Sequence, residues 1–128
     1  MSINNGNVAV TGTITANGTL LTSDMRYKRN VTTLPHSLQQ LVRLRGTAYY
    51  FNQQLYPAMN FSPGKQMGLI AQEVEKVFPE LVSTDQDGYK SINYIGLIPV
   101  MLESIKEQQK QIDELRKLVQ SLLKKTVH

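Results

Sequence analysis

The sequence contains no cysteine, and none of its apolar runs is long enough to cross a membrane. The lack of cysteine excludes disulfides, a thiolate nucleophile and a cysteine-based zinc site. A membrane-spanning helix needs about 20 mostly apolar residues, and the N-terminus lacks the basic and apolar regions of a secretory signal. With 128 residues, 41% hydrophobic and 19% charged, the chain fits one modest soluble domain without a membrane partner.

Charged side chains are missing from the first 23 residues, which is the sharpest change in composition along the chain. Every Lys, Arg, Asp and Glu lies at or after Asp24. The net charge of +4 is moderate and fits solvated helix faces better than the basic patch with stacking aromatics that a nucleic-acid site needs. We therefore expect no nucleic-acid partner, and we place a structural boundary at the start of the charged region.

Most patterns that serve catalysis or metal binding are also missing. The two histidines, His36 and His128, are interpreted as isolated surface side chains. The paired carboxylates at 73–75 and 85–87 fit a helix face and a turn. Phosphate-binding and metal-binding motifs are absent, so we expect no cofactor and no metal.

The uncharged segment, residues 3–21, has the composition of short β-strands separated by turns. Its β-branched residues alternate with Asn-Gly pairs at 5–6 and 17–18, which are strong turn signals, and glycines recur every six residues at 6, 12 and 18. Short strands without a core are marginal in a lone chain. The pattern therefore predicts the end of a stalk covered by partner chains, with a flexible Asn/Gly/Thr-rich tail as the alternative.

The region that follows predicts a small domain of helices and strands. One helix is indicated by leucines at helical spacing, Leu34, Leu38, Leu41 and Leu44. Thr33 is a candidate cap for this helix, Pro35 suits its first turn and Gly46 is expected to end it. A strand is then predicted at 47–51, and an exposed loop or loose hairpin at 52–66.

The second half of that domain predicts a strand, a short helix and a hairpin. Residues 67–70 form a short apolar run that leads into a two-turn helix at 71–78, which ends before Pro79. Two strands near 81–83 and 89–94 flank a turn whose central signal is Asp87-Gly88.

Residues 98–125 carry an apolar repeat of seven. One seam position holds Ile98, Ile105, Ile112 and Val119, and the other holds Met101, Gln108, Leu115 and Leu122. Such a seam predicts a coiled coil, and its composition is compatible with more than two strands. We expect a trimer, because the stalk also needs several chains. The alternative is a single amphipathic helix folded onto its own domain.

A serine and a lysine lie five positions apart at the boundary, and Ser23 is the only serine with this spacing. A serine hydroxyl becomes a nucleophile when a base takes its proton. A lysine amine serves as that base when burial or nearby positive charge lowers its pKa, and Arg26 and Arg29 flank Lys28. On spacing alone, the favoured interpretation is a simple turn between stalk and domain with a solvated Lys28.

Several motifs, in order, resemble the C-terminal intramolecular chaperone domain of phage tail spikes and fibres, the endosialidase-type self-cleaving family. Residues 22–31 read Thr-Ser-Asp-x-Arg-x-Lys-x-Asn-Val, and 38–50 resemble the leucine-rich helix that leads to a Gly-x-x-Tyr strand. The run Gly-Leu-Ile-Ala-Gln-Glu-Val at 68–74, Pro-Glu-Leu-Val at 79–82, Tyr94 and a closing helix complete the pattern. The resemblance covers about residues 22–115.

The resemblance implies an autoproteolytic site. Carried over, Ser23 is the nucleophile, Lys28 is the general base, and the bond between Thr22 and Ser23 is the one that is cut. Asp24 fits the motif and is expected to cap the turn or to orient Lys28. Whether an ester forms first or a water molecule is activated stays open.

Two further residues are supporting candidates through the same resemblance. Gln72 and Glu73 match the internal motif, and they line either the site or the subunit contacts.

The resemblance also implies an organisation for the whole chain. It is an α+β protein in which residues 1–22 end a β-structured stalk, 23–97 form the chaperone and auto-processing domain, and 98–128 form a coiled-coil helix. Its partners are two further copies of itself, as a homotrimer, and the upstream stalk of its own polypeptide. The expected location is the phage tail, or the cytoplasm of the infected bacterium during assembly, with a bacterial surface protein as another origin.

Two other functions remain open at this point. One is a purely structural trimerisation tip that never cuts. The other follows from relatives in which this domain releases a membrane-tethered transcription factor, although no DNA-binding domain or membrane anchor is visible in these residues.

Overall fold

The computed structural model describes residues 2–4, 7–9, 15–16 and 19–126, with side chains from 21 onwards. The chain divides into two compact units, residues 1–33 and 34–128. Among the described residues the architecture is mixed α and β, with four two-stranded antiparallel sheets and a long C-terminal helix. This confirms the mixed class and the long helix, while the trimer and the stalk stay predictions.

The first unit contains two small hairpins. Their strands are β1 (Ser2–Asn4), β2 (Asn7–Ala9), β3 (Thr15–Ala16) and β4 (Thr19–Leu20). The register pairs Asn4 with Asn7 and Ala16 with Thr19. The strands thus pair across 5–6 and 17–18, where the Asn-Gly turns are predicted. These turn residues lie outside the described residues, as do Val10, Gly12 and Thr13.

The second unit holds the remaining regular elements. In chain order they are α1 (Ser37–Leu41), β5 (Thr47–Tyr49), a 3-10 turn (Pro57–Met59), β6 (Gln66–Gly68), α2 (Ala71–Val77), a 3-10 turn (Pro79–Leu81), β7 (Val82–Thr84), β8 (Lys90–Ile92) and α3 (Leu97–Thr126). The predicted order of elements is confirmed.

The two sheets of this unit are hairpins with very different connections. β5 pairs with β6, Tyr49 opposite Gln66, so the exposed segment between them is the loose hairpin that the sequence predicts. β7 pairs with β8 across a tight turn, in which an Asp85 carboxylate oxygen accepts from the N–H groups of Asp87 and Tyr89, both at 2.9 Å. Gly88 has φ +88°, a conformation that glycine adopts without steric cost.

The core lies where α2 meets the start of α3. Its buried side chains are Val74, Phe78, Leu97 and Val100. Partly buried side chains pack around them: Leu41, Leu44, Leu69, Val77, Leu81, Val82 and Ile92. Leu41 and Leu44 thus confirm part of the predicted apolar face, whereas Leu34 lies before the helix and is 42% exposed.

Both ends of the predicted first helix are wrong, because the helix ends at Leu41 instead of at Gly46 and its start also differs. The helix begins at Ser37 instead of after Thr33, because His36 has φ +54° in the left-handed region, which interrupts a right-handed helix. The side chain that serves this helix end is Glu107 of α3, whose carboxylate accepts from the N–H groups of Ser37 (3.0 Å) and Leu38 (3.2 Å). A cap 70 positions away in sequence is beyond the reach of local pattern analysis.

A close approach explains one glycine of the internal motif. A Cβ added at Gly68 would lie 2.8 Å from the Tyr94 hydroxyl oxygen. That hydroxyl accepts a hydrogen bond from the Leu69 N–H at 3.0 Å. The motif Gly-Leu at 68–69 and the later Tyr94 are therefore one packing arrangement that ties β6 to the segment before α3.

Helix α3 has an inner face only over its first turns. Leu97, Val100 and Ser104 are buried, whereas every residue from Gln108 to Thr126 is exposed in the single chain. The apolar members of the seven-residue repeat are exposed as well: Ile98, Met101, Ile105, Ile112, Leu115, Val119 and Leu122. We call these seven residues the α3 stripe. In the described structure the helix folds onto its own domain only through its first turns, and the α3 stripe stays uncovered.

We expect Phe78→Ala to destabilise the protein by about 3–5 kcal/mol, because it opens a cavity in the core where Phe78 is 3% exposed. Chemical denaturation at one fixed protein concentration measures this change in the free energy of unfolding. The control, Leu55→Ala in the exposed loop, should stay within about 0.5 kcal/mol. Equal effects of the two variants would contradict the placement of the core.

Candidate functional site

The segment after the second hairpin is shaped by one short 3-10 turn, Met25–Tyr27. Asp24 precedes it in an extended conformation, and its carboxylate accepts from the Arg26 N–H at 2.8 Å. This is the usual role of an aspartate before a helical turn, since it pairs a backbone donor that the turn leaves free. Lys28 closes the turn with its own N–H, which donates to the Met25 carbonyl at 3.0 Å. The turn folds the chain back over five positions.

The folded-back chain brings the predicted serine and lysine into direct contact. Lys28 Nζ donates a hydrogen bond to Ser23 Oγ at 2.6 Å. A contact of this length is short enough for proton transfer, and a neutral amine at the same place would accept the proton of the hydroxyl. The geometry is therefore that of a nucleophile next to a candidate base.

Both groups are exposed in the single chain, and Thr22 is half-buried. A lysine amine acts as a base only when it is deprotonated, and burial or positive neighbours favour that state. The described residues of the first unit supply positive neighbours and supply no burial.

A second pair of side chains surrounds the same turn. Arg26 donates from Nε to one carboxylate oxygen of Asp24 and from Nη2 to the other, both at 3.0 Å. The hydrogen bonds from the Arg26 side chain and backbone lower the pKa of Asp24, and the carboxylate raises the pKa of Arg26. Asp24 thus caps the turn and pairs with Arg26, and its expected influence on Lys28 stays a prediction.

The two supporting candidates lie in the second unit, on α2. Gln72 is exposed. Glu73 accepts from Arg45 Nε at 2.7 Å through Oε1, and its Oε2 is buried without a hydrogen-bond partner among the described residues. The hydrogen bond to Glu73, together with its charge, raises the pKa of Arg45. Glu73 therefore ties α2 to the segment before β5, and its support of a reaction stays a prediction.

Sequence reasoning missed the pairing partners Arg26 and Arg45. The pattern presents Arg26 only as a positive neighbour of Lys28. A signal for its other role is nevertheless there, because Asp24 is the only acidic residue in 1–33 and lies two positions before it. No comparable signal marks Arg45, since its contact with Glu73 joins residues 28 positions apart.

Two other kinds of site are absent from the described residues. Within residues 19–126 and the short strands before them, no three His, Cys, Asp or Glu side chains are grouped as a metal site. No helix in this part of the chain is both long and apolar enough to cross a membrane.

Comparison with known proteins identifies relatives of this chain. A family model described as chaperone of endosialidase matches residues 23–83. The long tail fiber protein Gp37 of Salmonella phage S16 is 30% identical over 105 residues, which are 80% of this chain and 14% of that protein. Gp37 of Escherichia phage AR1 is 34% identical over 87 residues, 66% of this chain and 8% of its own. The chain thus spans a small part of the length of these curated relatives.

We expect the Asp24 carboxyl to titrate below its ordinary pKa of 3.8, because Arg26 stabilises the ionised form. Because the pKa is lowered, the stabilisation of the turn by the Asp24 carboxylate is fully present above pH 3.8 and is lost as the pH falls through the lowered pKa. A pH titration followed by the carboxyl carbon shift in NMR measures it. Arg26→Gln should move the midpoint back towards 3.8, whereas Arg29→Gln should leave it low, and the reverse order would contradict the pairing.

Proposed function

This chain belongs to the chaperone of endosialidase family through residues 23–83, and on that premise we propose that it is the intramolecular chaperone of a phage tail fibre. In this proposal it trimerises, holds the upstream β-stalk in register, and then releases itself by cutting the bond between Thr22 and Ser23. The observation that carries the proposal is the 2.6 Å contact between Lys28 Nζ and Ser23 Oγ. The contact lies where the charged region begins, and the family match also starts at Ser23.

The assembly part of the proposal is supported by the α3 stripe. An apolar stripe on a long exposed helix, interrupted only by Gln108, is unfavourable in water, and sister helices packed in register would cover it. Joining three α3 helices raises the local concentration of the three upstream segments. Short uncharged strands that are marginal alone then meet partners.

The proposed cleavage uses Ser23 and Lys28 as a dyad. Lys28, as a neutral amine, takes the Ser23 hydroxyl proton while the oxygen attacks the Thr22 carbonyl carbon. The bond from that carbon to the Ser23 nitrogen breaks, and the nitrogen takes the proton from the Lys28 ammonium. Water then hydrolyses the resulting ester, leaving a Thr22 carboxylate and an amine at Ser23. In the second route the dyad activates a water molecule, which attacks the same carbon and gives the same products without an ester. Because the substrate is the same chain, the reacting groups are already placed.

The exposure of the dyad suggests when it acts. Ser23 and Lys28 are both exposed in the single chain, and removing water from a lysine favours its neutral form. We infer that neighbouring subunits supply this desolvation, so that cutting follows assembly. The protein would then work in the phage tail or in the infected cell while the virion is built.

The same exposure also favours a second candidate function. If the assembled protein leaves Ser23 and Lys28 in water, the lysine stays protonated and the chain acts as a structural trimerisation tip. In that case the contact between the two side chains only stabilises the turn.

We expect the freshly purified protein to yield a fragment that begins at Ser23. Ser23→Ala should abolish the fragment because the nucleophile is gone. Lys28→Arg should abolish it too, because a guanidinium keeps the charge and the donors but is not deprotonated in proteins. Intact mass spectrometry and N-terminal sequencing of the fragment measure the outcome, and adding hydroxylamine captures an ester at Thr22 if one forms.

The matched controls are Ser83→Ala and Lys65→Arg, which change exposed residues outside the turn and should leave the fragment in place. An uncut wild type would contradict the self-cleavage and favour the structural tip. Cutting that persists in Ser23→Ala would contradict the assignment of the nucleophile.

We expect Ile112→Asp to prevent both trimer formation and cutting, because it buries a charge in the seam of the proposed coiled coil. Ser121→Asp introduces the same charge on α3 away from the stripe and should leave both intact. Light scattering coupled to size exclusion measures the oligomer, and mass spectrometry measures the cut. A monomeric Ile112→Asp protein that still cuts would show that the dyad needs no neighbour.

A further inference from the structure

The electrostatic surroundings of Lys28 in its own unit are unusually simple. Residues 1–33 contain one acid, Asp24, and three bases, Arg26, Lys28 and Arg29, together with the Tyr27 phenol. Asp24 is therefore the only side chain in this unit that could form an ion pair with the Lys28 ammonium. Such a pair would favour the charged amine and oppose its use as a base.

The sequence spacing would normally favour that unwanted pair. An acid and a base four positions apart, as Asp24 and Lys28 are, attract each other on an α-helix, but here both flank a 3-10 turn in extended conformations. The structure has a different arrangement. Lys28 Nζ bonds to Ser23 Oγ, and both oxygens of Asp24 are bound by Arg26.

Arginine is suited to this position by its shape. Its planar guanidinium binds both oxygens of a carboxylate at once and stays charged. Its positive charge also offsets the negative charge of Asp24, so that the pair presents Lys28 with little net charge. Arg29 is next to Lys28 in sequence and makes no hydrogen bond to Asp24 among the described residues. Replacing Arg29 should therefore leave the pairing of Asp24 with Arg26 in place.

We propose that Arg26 is a positioning residue of the self-cleavage reaction, which binds the Asp24 carboxylate and so keeps Lys28 free to deprotonate Ser23. The inference rests on the proposed self-cleavage and adds a role for a residue that touches neither the serine nor the scissile bond. Asp24 keeps its own task as the cap of the turn.

The test compares the pH dependence of cutting in four proteins: wild type, Arg26→Gln, Arg29→Gln and the double variant Asp24→Asn/Arg26→Gln. Arg26→Gln should move the rising limb of the profile up by about half to one pH unit, since it removes a cation and frees an anion beside the amine. Below the midpoint, a shift of one unit is a roughly tenfold slower rate. Arg29→Gln removes only a cation and should shift the limb less.

The double variant separates this role from a structural one. The asparagine side chain that replaces Asp24 there keeps an oxygen for the cap and carries no charge, so the profile should return towards the wild type although Arg26 is still missing. A purely structural role of Arg26 predicts slower cutting without this recovery. An equal shift in Arg26→Gln and Arg29→Gln, or no recovery in the double variant, overturns the proposal.

A second readout does not depend on cutting. In the Ser23→Ala background, NMR of the Lys28 side chain reports the midpoint of its own titration, and the order of midpoints should match that of the profiles. If the wild type never cuts, the proposed self-cleavage is wrong, but the Lys28 titration still shows whether Arg26 affects the protonation of Lys28. If the wild type cuts but the Lys28 titration is the same in all variants, the role of Arg26 is wrong and the self-cleavage is not.

Discussion

The α3 stripe is the constraint on which the rest of this molecule depends, because no described part of its own chain covers it. From Gln108 onwards every described residue is exposed, and the core is complete without this part of the helix. Apolar area left in water costs about 25 cal/mol for each Å². A helix of 30 residues contributes only its first turns to the core, which supports our proposal that the rest of it packs against other helices.

The turn at 24–28 shows how a sequence spacing that is weak evidence on its own becomes a specific contact between Ser23 and Lys28. Five positions in an extended chain place two side chains far apart. Here a single 3-10 turn, capped by Asp24 and closed by the Lys28 N–H, brings them within 2.6 Å. The turn needs an acid for its cap, and an acid beside a lysine favours the charged amine. Arg26 binds both oxygens of that acid, and in its proposed positioning role this pairing reduces the influence of the acid on Lys28.

The sequence predicted the parts of this structure that depend on local pattern. The Asp87-Gly88 turn, helix α2 ending before Pro79 and the long α3 all follow from short-range chemistry. The start of the first helix could not be predicted, because its N-terminal hydrogen bonds come from Glu107, far along the chain. The spacing of Ser23 and Lys28 allowed a contact, but only the turn geometry shows it. The pairing of Glu73 with Arg45 is likewise tertiary.

Two incomplete features of the single chain point to the same order of events. The α3 stripe is uncovered by the described residues, and the contact between Ser23 and Lys28 lacks the dry surroundings in which a lysine becomes a base. If sister chains complete both, the cut waits for assembly and cannot separate a chaperone from a stalk that is not yet paired. In the proposed sequence, a stalk released by the cut would no longer have the helices that brought its strands together, so its unfolding would be hard to reverse and its lifetime would be set by a kinetic barrier. The exposure of Ser23 and Lys28 in the single chain would then time the proposed reaction.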